Sequence, residues 1–295
     1  MEEFKRVFGI KFIMVFTVTV LLNIGLFVYS SSEGKSMSDI RQETHYRQWI
    51  IGELSDMQPE EALEIANIQS DSVIKRKYDE LKPEEQTVYS RQLNKIKEQL
   101  EYIIKYPEDI KNIQNNADTL KSFSIFADKK SFTYNNIQKT AKDFKRIEGV
   151  QLFLTDNKAV DSFVTYYYIY YLALILNVFV LYELFGEREN GIWCIVHTSK
   201  SGRAKLAFNR TMIITASAFI ITGVLFFTTF LTSFILYKTA SINAPIQNIE
   251  SFSRFSLPMS QLEYIIYDFL YSFCAVLTLT AIVWMVFVFI RHRNI

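Results

Sequence analysis

The sequence predicts an all-α integral membrane protein, with four transmembrane helices and a helical extracellular domain between spans one and two. Three observations lead there. Apolar runs occupy Phe12 to Tyr29, Phe163 to Phe185, Met212 to Tyr237 and Tyr264 to Ile290, and about 20 apolar residues cover the hydrocarbon core of a bilayer. The stretch from Ser31 to Asp161 is charged and polar, with apolar residues at helical spacing. Lysine and arginine gather at alternate ends of the runs, as the positive-inside rule requires.

The chain divides into residues 1–30, an N-terminal cytoplasmic segment and the first span; 31–161, the extracellular helical domain; and 162–295, the second to fourth spans with an inner loop at 183–210. The first run follows Lys5, Arg6 and Lys11. It exceeds the ~7–15 apolar residues of a signal peptide, and LFVYSSSEGKS has no clear small-x-small cleavage site. A retained span is expected.

Within 31–161, Pro59 and Pro83 each precede two glutamates, as first-turn residues do. Pro107 is expected to open a further helix, PEDIKNIQ, in the same way. Leu93, Ile96, Leu100 and Ile103 mark one helix face. A bundle of roughly five helices follows, with Val150 to Leu154 the best strand candidate. The tyrosines of the second span, Tyr166 to Tyr168 with Tyr170 and Tyr171, suit the membrane–water boundary, where the ring is buried and the hydroxyl stays wet. An aromatic vestibule for substrate is the alternative.

Lys5, Arg6 and Lys11, then Arg188, Lys200, Arg203, Lys205 and Arg210, then Arg291 and Arg293, all fall on one side if there are four spans. Both termini are then cytoplasmic, and the helical domain is outside. A multi-pass protein of a bacterial cell membrane is expected, since the outward domain has no cysteine.

Net charge is +1 over 295 residues, so no overall basicity argues for nucleic acid. No GxxxxGK[ST] loop occurs, Cys194 and Cys274 are far apart, and His45, His197 and His292 cannot assemble a metal cluster. No catalytic, metal or cofactor site is expected in this chain. Polar residues inside the spans are the other candidates. Asn23 and Asn177 interrupt the first and second spans at different depths and are expected to bond between helices rather than to each other. Asp268 lies about one turn inside the fourth span. With the two asparagines it marks a candidate substrate path, the alternative being that it snorkels to the outer surface.

The loop carries Glu187 and Gly191, an apolar turn (Ile192, Trp193, Ile195, Val196), then Thr198, Gly202, Arg203, Lys205 and Arg210. Ile192, Ile195 and Val196 share a face if the turn is helical. This order resembles the inner loop of ABC type-2 exporter permeases, E-x-x-x-G, apolar turn, T-x-x-G-R, then a lysine, with Arg210 in the lysine's place. SIF at Ser124, SFTYNNIQKT at Ser131, Asp143-Phe144 and PIQNIESF at Pro245 resemble members with a large extracellular helical domain after the first span, so the similarity covers most of the chain. Such permeases usually have six spans and this chain has four, so a truncated, split or partner-completed permease is expected.

The resemblance implies a transmembrane subunit exporting an amphipathic substrate, peptide or lipid. A cytoplasmic ABC ATPase dimer would bind the ATP and dock on Glu187, Gly191, Ile192, Trp193, Ile195, Val196, Gly202, Arg203 and Lys205. A second permease copy or a related half-permease would complete it in the lipid bilayer. The alternatives are a membrane sensor whose outer helical domain binds a ligand, or an envelope scaffold.

Overall fold

The computed structural model describes residues 7–67, 73–123, 129, 131–185, 200–238 and 241–292. Every regular element among these residues is a helix, without a β-strand; one isolated bridge joins Pro245 and Ser260. The chain forms two compact units.

The first unit comprises residues 1–34, 162–235 and 265–295. Its helices are α1 (Ile10–Ser32), the end of the short α7 (Lys158–Val164), α8 (Tyr168–Phe185), and the greater parts of α9 (Lys200–Tyr237) and α10 (Gln261–His292). Among the described residues, three helices are long and apolar enough to cross a membrane, and four spans result if α7 and α8, bent by 45° at their junction, form one. These helices present large apolar side chains outward, among them Ile13, Leu21, Ile175, Phe227 and Met285. In water such a surface would be a liability; it is what lipid requires of a multi-pass membrane protein.

The bend between α7 and α8 places Tyr166 in the interior. Its ring packs edge-on against Phe27 at 5.2 Å, and its side chain is buried. Tyr167 and Tyr171 are exposed. The expectation that the whole tyrosine run lies at the boundary therefore fails for Tyr166. Its hydroxyl finds a protein acceptor instead of water.

The second unit comprises residues 35–161 and 236–264. It holds α2 (Met37–Leu54), α3 (Pro59–Ala66), α4 (Val73–Glu80), α5 (Pro83–Ser122) and α6 (Phe132–Lys145). A capping box starts α2: the Asp39 amide donates to Ser36 Oγ at 3.2 Å, and the Ser36 amide donates to Asp39 Oδ2 at 3.1 Å. Those bonds hold the Asp39 carboxyl below its ordinary pKa, because they stabilise its charged form. Pro59 and Pro83 occupy first turns as expected.

Pro107 does not open a helix. It lies inside the 40-residue α5, which is roughly 60 Å long at 1.5 Å per residue. A proline in mid-helix removes one backbone bond, but Ile103, Tyr106 and Ile110 bury on the same stripe as Tyr89, Leu93 and Ile96. The buried stripe continues past the proline, and α5 packs on α2, α3 and α6, which offsets the missing bond.

Val150 to Leu154 is extended but is not a strand. Leu152 and Leu154 bury in the helical core. Side-chain amides take the place of a partner strand: Asn248 Nδ2 donates to the Phe153 carbonyl at 2.6 Å, and Gln99 Nε2 to the Thr155 carbonyl at 2.9 Å. The connection between the third and fourth runs is part of this unit. Two short 3₁₀ turns, Ile246–Asn248 and Glu250–Phe252, fold it into a compact loop. Fully buried Gln247 holds the loop closed by donating to the Phe255 and Leu257 carbonyls at 3.0 and 2.8 Å. Tyr102 of α5 donates to the Gln247 carbonyl at 2.7 Å, and burial pushes its phenol well above the ordinary value.

Candidate functional site

Apolar helices have no hydrophobic reason to prefer one another over lipid, so polar side chains and close packing decide how they associate. Among the described residues of the first unit, three polar centres include all three path residues expected from the sequence.

Asn23 on α1 is fully buried. Its amide donates to Thr229 Oγ1 at 2.8 Å and to the Leu225 carbonyl at 3.2 Å, both on α9. The Tyr166 hydroxyl lies 3.0 Å from Asn23 Oδ1 and 3.1 Å from its carbonyl, and donates to that pair. One asparagine thus ties α1 to α9 and to the α7–α8 bend.

Asn177 on α8 is also fully buried. Its amide donates to the Ala173 carbonyl at 2.8 Å, and it accepts from the Ser217 hydroxyl of α9 at 3.2 Å. The two asparagines therefore bond to α9 separately. Ser217 and Thr229 are twelve residues apart, roughly 18 Å along that helix.

Asp268 on α10 is half-buried. Its Oδ1 accepts from the Tyr170 hydroxyl of α8 at 3.4 Å. The Ser272 hydroxyl donates to the Asp268 carbonyl at 2.6 Å and lies 3.2 Å from the Tyr170 hydroxyl. Asp268 thus belongs to a hydroxyl-rich α8–α10 contact, distinct from the asparagine centres. Of their partners, Tyr166 and Tyr170 were expected only as boundary or vestibule tyrosines, and Ser217, Thr229 and Ser272 were not expected as partners. Their signal was a hydroxyl group well inside an apolar run, which needs a partner within the bundle.

Of the expected ATPase-docking residues, Glu187, Gly191, Ile192, Trp193, Ile195 and Val196 lie outside the described residues. Gly202, Arg203 and Lys205 are in the first two turns of α9, and Lys205 is exposed. Arg210, a further turn along, is buried. The basic end of the expected loop is therefore helix, continuous with the third apolar run. No group of three or more His, Cys, Asp or Glu side chains among the described residues could hold a metal ion. Comparison with family models, curated proteins and solved structures found no match.

Proposed function

We propose that the chain is the membrane-spanning permease subunit of an ATP-driven exporter of the ABC type-2 kind. In this reading both termini are cytoplasmic, the second unit is extracellular, and a separate ATPase dimer grips residues 183–210. A second copy or a related half-permease completes the path for an amphipathic peptide or lipid.

The observation that carries this reading is the continuity of α9. The helix starts at Lys200, inside the basic segment, and runs 38 residues to Tyr237. At 1.5 Å per residue that is about 57 Å, well beyond the ~30 Å of hydrocarbon. A force on the basic end reaches the interior along an unbroken backbone. There α9 bonds to α1 at Asn23 and to α8 at Asn177, so movement of one helix changes the contacts of two others. Rigid elements repacked between two arrangements are the usual basis of such switches.

The test is affinity purification of the tagged full chain from membranes of its native host, with mass spectrometry of what accompanies it. An ABC-type ATPase is expected with the wild-type chain and not with the Trp193→Ala, Arg203→Glu double variant, while membrane insertion is unchanged. A wild-type preparation without any ATPase, or a variant that retains it fully, would overturn the coupling.

A further inference from the structure

The second unit contains a cavity of about 470 Å³ whose walls come from α2, α5, the extended segment before α7 and the 3₁₀ loop. Among the residues around it, Arg47 Nε donates to Asp156 Oδ1 at 2.8 Å, and Asp156 is only 3% exposed. A guanidinium beside a carboxylate commonly makes two parallel bonds. Here the second is not made: Arg47 Nη2 and Asp156 Oδ2 are both buried and without a hydrogen-bond partner among the described residues. Asn248, on the wall of the same cavity, uses its amide nitrogen on the Phe153 carbonyl and leaves Oδ1 equally unpaired.

Buried polar atoms without partners are uncommon in native folds, and each calls for a reason. Two unpaired acceptors and one unpaired donor belong to residues around a single cavity, each of the three atoms being itself buried. They match a small ligand that carries an ammonium group next to a carboxylate. The remaining charges are mixed, as a zwitterion requires, with Lys95 and Lys158 facing Glu98, Asp161 and Glu250, one more acidic group than basic. A polyanion would meet acidic walls, and a polycation would meet basic ones. Ile51 and Ile249 add apolar surface for a side chain.

We propose that this cavity binds a free α-amino acid, its ammonium held by Asp156 and Asn248 and its carboxylate by Arg47. Because the three unpaired atoms are themselves buried, the Arg47, Asp156 and Asn248 side chains must turn to present them to a ligand. A turn of the Asp156 carboxylate about its broad terminal torsion brings Oδ2 to the ligand. The site is independent of transport, since nothing in it depends on an ATPase.

The test uses the full chain in detergent micelles, with each of the twenty L-amino acids at millimolar concentration as probe. At least one should raise the unfolding temperature by mass action and give saturable heat in calorimetry. Its N-acetyl derivative and its primary amide should each bind about tenfold more weakly or worse, the loss of one charge-assisted bond. Asp156→Asn should weaken the parent amino acid to a similar degree. If that variant does not fold, the derivatives on the wild-type chain decide. No response to any amino acid, or equal binding of parent and N-acetyl forms, would overturn the assignment.

Discussion

Replacing Asn23 by leucine, which has nearly the same volume, tests how much one buried amide contributes to the cohesion of the first unit. The substitution deletes the bonds to Thr229 Oγ1 and to the Leu225 carbonyl, and the one Oδ1 accepts from the Tyr166 hydroxyl. A buried donor or acceptor left alone costs about 1–3 kcal/mol, so two orphans could double the loss. The geometry argues against that outcome. Thr229 also donates to the Leu225 carbonyl at 2.9 Å, and the Tyr166 hydroxyl still reaches the carbonyl of residue 23 at 3.1 Å. No hydroxyl is orphaned, so only the direct bonds are lost. Interhelical bonds inside membranes average ~0.6 kcal/mol with a ceiling near ~1.7, which puts Asn23→Leu at about 1 kcal/mol destabilising. A cycle of Asn23→Leu and Thr229→Val, followed by equilibrium unfolding in mixed micelles, should give a coupling of about 0.5–1.5 kcal/mol. A coupling indistinguishable from zero, or a single-variant loss above about 3 kcal/mol, would refute the reasoning.

Two further outcomes concern the second unit. Tyr106 is 2% exposed and its hydroxyl has no hydrogen-bond partner among the described residues, so Tyr106→Phe should stabilise the unit by about 1 kcal/mol in thermal unfolding. Burial pushes its phenol from 10.0 up to about 12. The raised value favours the neutral form in the folded state, so stability is intact below pH 10 and falls as pH rises towards 12. The Phe variant should lose part of that alkaline decline, measured by circular dichroism. For orientation, cysteine placed at exposed Asn94 in a Cys194→Ser, Cys274→Ser background should react with a membrane-impermeant maleimide on intact cells, whereas Ser199→Cys should react only after lysis. The reverse pattern would invert the proposed topology.

Much of the fold was legible because apolar length and helix-start chemistry are local. Phe12 to Tyr29 and Tyr264 to Ile290 announce themselves by hydropathy, and Pro59 and Pro83 by the glutamates that follow. Pro107 carries the same local signature and misleads. Its helix is already running, and only the tertiary stripe from Tyr89 to Ile110 decides that it continues. Val150 to Leu154 misleads for a related reason, since the alternation is real but its backbone partners are the amides of Gln99 and Asn248. The latter is 95 residues distant from Phe153. Local reading singled out Asn23, Asn177 and Asp268 for the path but not their partners Thr229 and Ser217, and it placed Tyr170 only in a boundary or vestibule tyrosine run. A hydroxyl in an apolar run shows that it needs a partner without showing where the partner is.

The two asparagine bonds limit what α9 can do. Ser217 and Thr229 are about a third of a turn apart around the helix axis at 100° per residue, so the rod is riveted on two flanks. Sliding it lengthwise, even by one residue's rise of ~1.5 Å, or twisting it about its axis, strains both rivets together. Rocking it like a seesaw about the patch between them disturbs each only slightly. Levering at the Lys200 end is therefore the displacement the bundle resists least.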